Sequence, residues 1–454
     1  MKNNTDDMKK SISLLTAAAL SLCVLGACAD NGSISGSERL SEKYSRSKDA
    51  SLTYNFADGA QETPDAYNSF ANQATSLELK LFDSLFSGEL KNSDKIFFSP
   101  ASTVLQLGLM LNGASDDAKS ELLLAFGGEL GVDSLNQCSS YFKSRMESVS
   151  SLDSEKSKGD PNAEAEEPKE HVSLKSSLFV DSDCNIKTSF LQSNADFYGN
   201  DIFKLDFSSR DSLVTKLGDY SESLGKLCEN NYSEFSGYSS FLFSETELLD
   251  SWLDGYSEAD LEKSEFTNAD GSRSSAEFMT SSEILIHSES AKGIMKYTKK
   301  NPLKFVAILP NEGTSLEDYI SKLDEREYFK LLDSMDIIIR AEAKLPQFEI
   351  EAQDLSLKAA LEQNGIRSLF DGKSKLSELS FSEDFALNEL TEATPNFSLT
   401  PSGLGSGTDE VKSQKGSDNT ALNQASIKFD RPFVFMIIDN ESSLPVFIGA
   451  VRNL

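Results

Sequence analysis

Few side chains in this sequence are placed to do chemistry. The 454 residues include two histidines, His171 and His287, and a Ser-His-Asp or Cys-His catalyst would have to recruit one of them. His171 adjoins an acidic run and His287 closes the apolar run Ile284-Leu285-Ile286, and neither setting pairs a base with a nucleophile. No G-x-S-x-G elbow presents a serine, since Gly403-Leu404-Gly405-Ser406-Gly407 carries its serine one place late. There is no P-loop and no G-x-G-x-x-G phosphate cradle, and no spacing marks a pair of catalytic carboxylates. Cys138, Cys184 and Cys228 are widely spaced. They outline neither a disulfide framework nor a metal site and read as small buried residues, one disulfide with a free thiol being the alternative. The chain is expected to be no enzyme and to need no metal or cofactor.

The cysteine whose surroundings do assign it chemistry is Cys28. Lys2, Lys9 and Lys10 precede the apolar run Ile12–Leu25, too short to span a bilayer, so residues 1–27 read as a signal peptide. It ends in Leu25-Gly26-Ala27-Cys28, the small-residue pattern of a bacterial lipobox. That pattern implies diacylation of the Cys28 thiol, cleavage before it and acylation of the new amino terminus, a firm lipid anchor at the cell envelope. An ordinary signal peptide with an incidental cysteine is the plainer alternative, and either way the mature chain is exported. Residues 28–70 are polar and Ser-rich and read as a flexible tether. At roughly 3.3 Å per residue its reach is on the order of 100 Å.

The elements that must position anything functional lie within 71–454. Leu77, Leu79, Leu81, Phe82, Leu85 and Phe86 recur at helical spacing over Ser76–Phe86. Ser99-Pro100 reads as an N-cap with proline at the first helical position, ahead of a buried helix through Leu111. Val172–Val180, Phe305–Leu309 and Lys344–Glu351 read as strands, and Leu355–Asn364 as a helix ended by Gly365. Phe433–Ile438 and Leu444–Val451 are continuous apolar runs about a polar turn, a hairpin covered on both faces. The class is α+β. The net charge of −30, 73 acidic residues against 43 basic, excludes nucleic acid and disfavours an anionic membrane face. Part of that charge sits in a low-complexity stretch over residues 150–170, which reads as a disordered insertion. Thr400–Ser426 is a long polar loop leading into the final hairpin, and such loops are commonly functional.

Five blocks in order resemble the serpin family: Phe97-Phe98-Ser99-Pro100-Ala101-Ser102, Lys204-Leu205-Asp206-Phe207, Ala307-Ile308-Leu309-Pro310-Asn311-Glu312-Gly313, Leu345-Pro346-Gln347-Phe348, and Phe429-Asp430-Arg431-Pro432-Phe433 with Val446-Phe447-Ile448-Gly449. The resemblance implies a monomer of the serpin fold, with three β-sheets, about nine helices and an exposed reactive-centre loop, here residues 400–426. The run from Ser239 to Trp252 departs from the clean apolar strand of the family, being broken by Ser244-Glu245-Thr246-Glu247.

The resemblance also implies a mechanism. A serine or cysteine protease attacks the loop and forms an acyl-enzyme; the freed loop enters the central sheet as a new strand and drags the protease along before deacylation. Alternate loop residues then face the core and must be small and uncharged. Taking Glu392-Ala393 as the strand before the hinge, Ser402 enters first, after Pro401, and Ser402, Leu404, Ser406 and Thr408 face inward. Pro401 fixes φ and removes a donor where the family has glycine. Gly403, Gly405 and Gly407 replace an alanine-rich run and are expected to weaken the strand. Family spacing puts the scissile bond at Lys415-Gly416, or else at Lys412-Ser413, either of which suits a trypsin-like target. Counting back from Phe429 gives Thr420-Ala421, which suits an elastase-like one. The alternative function is that of a non-inhibitory serpin-fold binding protein at the surface.

Overall fold

The computed structural model describes residues 34, 37–47, 65–151, 170–299, 303–406 and 423–454. In chain order the first strands are β1 (Glu38–Arg39), β2 (Lys95–Phe98), β3 (His171–Asp181), β4 (Asp201–Leu205), β5 (Ser240–Ser251) and β6 (Leu261–Thr267). There follow β7 (Arg273–His287), β8 (Ala291–Tyr297), β9 (Leu303–Pro310), β10 (Arg340–Pro346), β11 (Phe348–Ile350) and β12 (Asp354–Ser356). The last are β13 (Glu389–Ala393), β14 (Phe397–Leu399), β15 (Gly403–Gly405), β16 (Asn423–Lys428), β17 (Phe433–Asp439) and β18 (Pro445–Val451). Helices used below are α1 (Asp65–Ser87), α2 (Pro100–Leu111), α3 (Arg210–Tyr220) and α4 (Glu222–Asn230).

Two nine-stranded sheets result. The first runs β1-β4-β3-β5-β15-β14-β11, with β13 and β12 continuing beside β5. The second runs β16-β10-β7-β8-β9-β17-β18-β2, with β6 on β7. Hydrogen bonding merges two of the three expected sheets because β7 is long enough to pair with β6 over its first half, with β10 from Phe278 to Ile284 and with β8 over its last residues. Eleven α-helices are found among the described residues.

β5 passes unbroken through Ser244–Glu247, and the reason is what covers each face. Phe241 and Phe243 pack with residues of α3 and α4 such as Leu213 and Leu224, while Leu242 and Leu248 join the main core on the opposite face with α2. Ser244 and Thr246 are buried on the α2 side, whereas Glu247 is exposed. A sheet face lined with polar groups over α2 is compatible with a strand; the interruption lay only in hydrophobicity.

Some expectations are adjusted. α1 begins at Asp65 because Tyr67, Phe70, Ala71 and Ala74 extend the buried stripe. The segment expected to be helical from Leu355 is first a strand, since Asp354–Ser356 pairs with β13, and the helix starts at Lys358. Gly365 closes that helix at φ +88. The free end of α1 is capped from the far end of the chain. The Arg452 guanidinium donates to Phe86 O (3.0 Å), Leu90 O (2.8 Å) and Ser93 O (2.8 Å).

The expected tether is in part folded. β1 pairs antiparallel with β4 at the edge of the first sheet, Ile34 is buried among Phe203, Leu205 and Phe207, and Arg39 pairs with Asp201. Ser41 Oγ accepts from Ile202 N at 3.2 Å, Ser45 O from Gln192 Nε2 at 3.0 Å, and Asp196 Oδ1 from Ser47 N at 2.7 Å. The polar composition of this segment hid one apolar plug and a run of backbone bonds. From Cys28 to Ile34 the chain spans about 20 Å at most, at roughly 3.3 Å per residue.

Candidate functional site

Between β13 and β15 the chain rises to the top of the first sheet and turns back into it. The lower strand, β13, lies parallel on β5 with Glu392 level with Ser244. Above it, β14 leaves β5 and pairs with β11, Phe348 opposite Leu399. The gap this opens is filled by β15, antiparallel to β14 on one side and to β5 on the other: Leu404 stands opposite both Leu399 and Asp250. Ser406 N continues the ladder, donating to Leu248 O at 2.8 Å. The start of the polar loop is thus a strand at the centre of the sheet.

Three glycines were expected to weaken such a strand, but at two positions the geometry demands them. A Cβ on Gly403 would lie 2.1 Å from Asp250 O, and one on Gly405 would lie 1.9 Å from Leu248 O at φ +109. Only a residue without a side chain lets the backbones approach this closely. Leu404 between them is fully buried in the main core, while Ser402 and Ser406 are half-buried.

Pro401 fits for a related reason. It occupies the turn Thr400–Gly403, closed by Thr400 N donating to Gly403 O at 3.0 Å, a turn position at which a fixed φ is favourable. The turn's successive carbonyls are held from above by donors on Trp252 and Tyr256. Trp252 Nε1 donates to Thr400 O (2.8 Å), Tyr256 N to Pro401 O (3.2 Å) and Trp252 N to Ser402 O (3.1 Å). Trp252, at the top of β5, is 1% exposed.

Below the inserted segment the sheet lies over a polar seam. Glu392 is fully buried, and its Oε1 accepts from Ser99 N at 2.6 Å and from Thr246 Oγ1 at 3.4 Å. Burial pushes its carboxyl up to about 8 despite those two bonds, so it is mostly protonated at neutral pH. Ser99 is also the N-cap of α2, accepting from Ser102 N, and donates to Val446 O at 2.8 Å. The other carboxyl oxygen of Glu392 has no hydrogen-bond partner, nor do Ser244 Oγ, Ser102 Oγ, Thr103 Oγ1 and Gln106 Oε1. Buried groups of this kind usually find partners, and here several stay without one where β13 and β5 pair at the level of Glu392 and Ser244.

The remaining sequence-assigned residues fall elsewhere. Thr408, Lys412, Ser413, Lys415, Gly416, Thr420 and Ala421 lie outside the described residues, as do Cys28 and most of the acidic insertion. The insertion's last residue is anchored, Glu170 accepting from Ser251 Oγ (2.8 Å) and Lys299 Nζ (2.9 Å). His171 faces Glu247, 3.4 Å from its carboxylate, and His287 ends β7 in the second sheet. Cys138 and Cys228 are buried free thiols and Cys184 is half-buried and free. No described helix is long and apolar enough to cross a membrane. Sequence reasoning missed Glu392 as a titrating group; its sole signal was a carboxylate within a segment otherwise reading as strand.

The first sheet thus parts at one end, between β5 and β14, and holds the first residues of the chain's own long loop as β15. The model of the family described as "Serpin (serine protease inhibitor)" matches residues 72–454, and the chain belongs to that family. Among similar proteins are alpha-1-antitrypsin 1-4 of Mus musculus, 22% identical with 79% of this chain and 83% of that one covered, and the plasma serine protease inhibitor of Homo sapiens, 20% identical with 80% and 85% covered. Among solved structures, the thermophilic serpin tengpin in its native state superposes with a TM-score of 0.71 at 24% identity, covering 92% of this chain and all of that one. Maspin gives 0.68 at 18% identity, covering 86% of this chain and all of that one. Serpins of inhibitory type block proteases rather than act as proteases.

Proposed function

We propose that this protein is a one-use inhibitor of extracellular serine proteases, acting by cleavage of the loop 400–426 and insertion of its amino-terminal part into the first sheet. One observation carries the reading: β15 already occupies the position between β5 and β14 that an inserting strand must take. The free energy for trapping a protease is that of completing a strand already begun. Export and a lipid anchor through Cys28 would place it at the bacterial cell surface, as a monomer guarding the envelope. Lys415-Gly416 is the proposed reactive bond, facing a trypsin-like enzyme.

The register of β15 says what further insertion would meet. Leu404 faces the core opposite Asp250, so Ser406 and Thr408 would face it next, both small. Glu410 would follow at the level of Ser244, where Ser244 Oγ and the protonated Glu392 carboxyl offer hydrogen-bond donors without present partners. Lys412 would then arrive level with Leu242, in the apolar core. A buried ammonium without a partner is strongly unfavourable, and this favours the second reading, a non-inhibitory serpin-fold protein whose loop binds a partner.

Mixing the protein with trypsin, and separately with an elastase, decides between the two. The inhibitory reading expects a covalent complex that survives boiling in detergent, with the loop cut after Lys415. Clean cleavage with both proteases left active and no covalent species would establish the second reading.

A further inference from the structure

The hinge turn is held by Trp252 and Tyr256, and both are arranged around a single buried cation. Lys296, at the end of β8, is 2% exposed. Its Nζ donates to Glu283 Oε1 on β7 at 2.6 Å and to Asp254 O at 2.9 Å. It also lies 4.6 Å from the centre of the Tyr256 ring and 5.3 Å from that of Trp252. The two rings stand edge to face at 83°, and Tyr256 is tied to β7 through Ser281 Oγ at 3.1 Å. A desolvated ammonium between two aromatic faces is attracted to both. The attraction fixes the rings because the charge is itself pinned by Glu283.

We propose that Lys296 is a positioning residue for the loop. With Glu283 it holds Trp252 and Tyr256 where the carbonyls of Thr400, Pro401 and Ser402 dock in succession, so insertion starts from Gly403–Gly405 inside the sheet rather than from above it. The consequence for inhibition rests on the insertion reading given above. β7 and β8 belong to the second sheet, so that sheet sets the depth of the loop in the first. A loop that starts outside the sheet has further to travel before the acyl-enzyme hydrolyses, and fewer proteases are trapped per loop cut.

The test is the paired neutral variant Lys296→Met with Glu283→Leu, since removing either charge alone would strand the other in the core. Trp252 is the one tryptophan of the chain, so its emission reports this cage directly. The variant is expected to show red-shifted emission and amide exchange faster by about tenfold at Trp252, Tyr256 and Ser406, with β17 and β18 unchanged. Its loop is also expected to be cut more often per trapped trypsin. Unchanged emission and exchange at the hinge would overturn the proposal, as would exchange accelerated equally in β17 and β18, which marks a merely structural role. Should the paired variant not fold, Tyr256→Leu removes one wall of the cage without stranding a charge and is read in the same way. A wild-type protein that traps no protease overturns the inhibitory reading alone, and emission and exchange still decide the clamp.

Discussion

Gly405→Ala tests whether the loop is held in the sheet by an approach that only glycine allows. The new Cβ would stand 1.9 Å from Leu248 O at φ +109, and moving it to ordinary contact requires the two backbones to separate. Angle strain alone is insufficient, since about 15° already costs ~4 kcal/mol. Against this, the inserted segment is weakly held. Burial of Leu404 contributes ~2 kcal/mol and about three interstrand bonds contribute ~1 kcal/mol each. Ordering three residues costs ~1–2 kcal/mol apiece. At the middle of that range the net is about 0.5 kcal/mol in favour of insertion, less than the strain, so the segment should leave the sheet while the domain stays folded. A loss of that size moves the thermal midpoint by no more than about 2–4 °C. The assay is hydrogen exchange by mass spectrometry over 400–406 and 246–252, beside a melting curve. Protection is expected to vanish at Ser406 and to persist in β17 and β18. Retained protection at Ser406 in the variant would refute the argument, because the strand would then tolerate a side chain where the structure leaves no room.

Three further outcomes follow from other parts of the molecule. The Glu392 carboxyl is raised from 4.5 to about 8 by burial, so the folded state holds its proton where the unfolded chain releases it. This contribution to stability is complete below about pH 4.5 and is lost as pH rises through about 8, amounting to roughly 5 kcal/mol at most. Glu392→Gln should remove that slope, and urea midpoints for the two proteins that stay parallel from pH 5 to 8 would contradict it. Lys415→Ala should abolish the covalent complex with trypsin, while Lys412→Ser should raise the fraction of trypsin trapped by sparing the core a charge; gel densitometry of the boiled complex reads both. Arg39→Ala leaves the largely buried Asp201 carboxylate without its guanidinium and should cost about 1–3 kcal/mol, with release of β1 seen as faster trypsin cleavage at Lys43. Unchanged cleavage there would mean that Ile34 and the backbone bonds hold the segment unaided.

The sequence alone determined what is local or periodic. Ser99-Pro100 caps α2 because a hydroxyl before a proline meets the first free amide whatever surrounds it, and the Ser99 side chain accepts from Ser102 N as that reading requires. Gly365 ends its helix because it alone adopts a left-handed φ without strain. The runs that became β17 and β18 were legible because a strand covered on both faces has no polar alternation to lose. The tertiary structure decided the rest. β15 is three residues of Gly-Leu-Gly with no strand propensity of their own, and they form a strand because β5 and β14 part at that level to leave unpaired backbone on both sides. The same glycines that count against a strand by propensity are required by a partner roughly 150 residues away in the chain, Leu248 beside Gly405. Ile34 and Arg39 likewise dock only because β4 offers an open edge and Phe203 and Leu205 an apolar seat. Glu392 and Lys296 look like ordinary surface charges in sequence, and burial beneath a sheet, which no local pattern records, turns one into a neutral acid and the other into the centre of an aromatic cage.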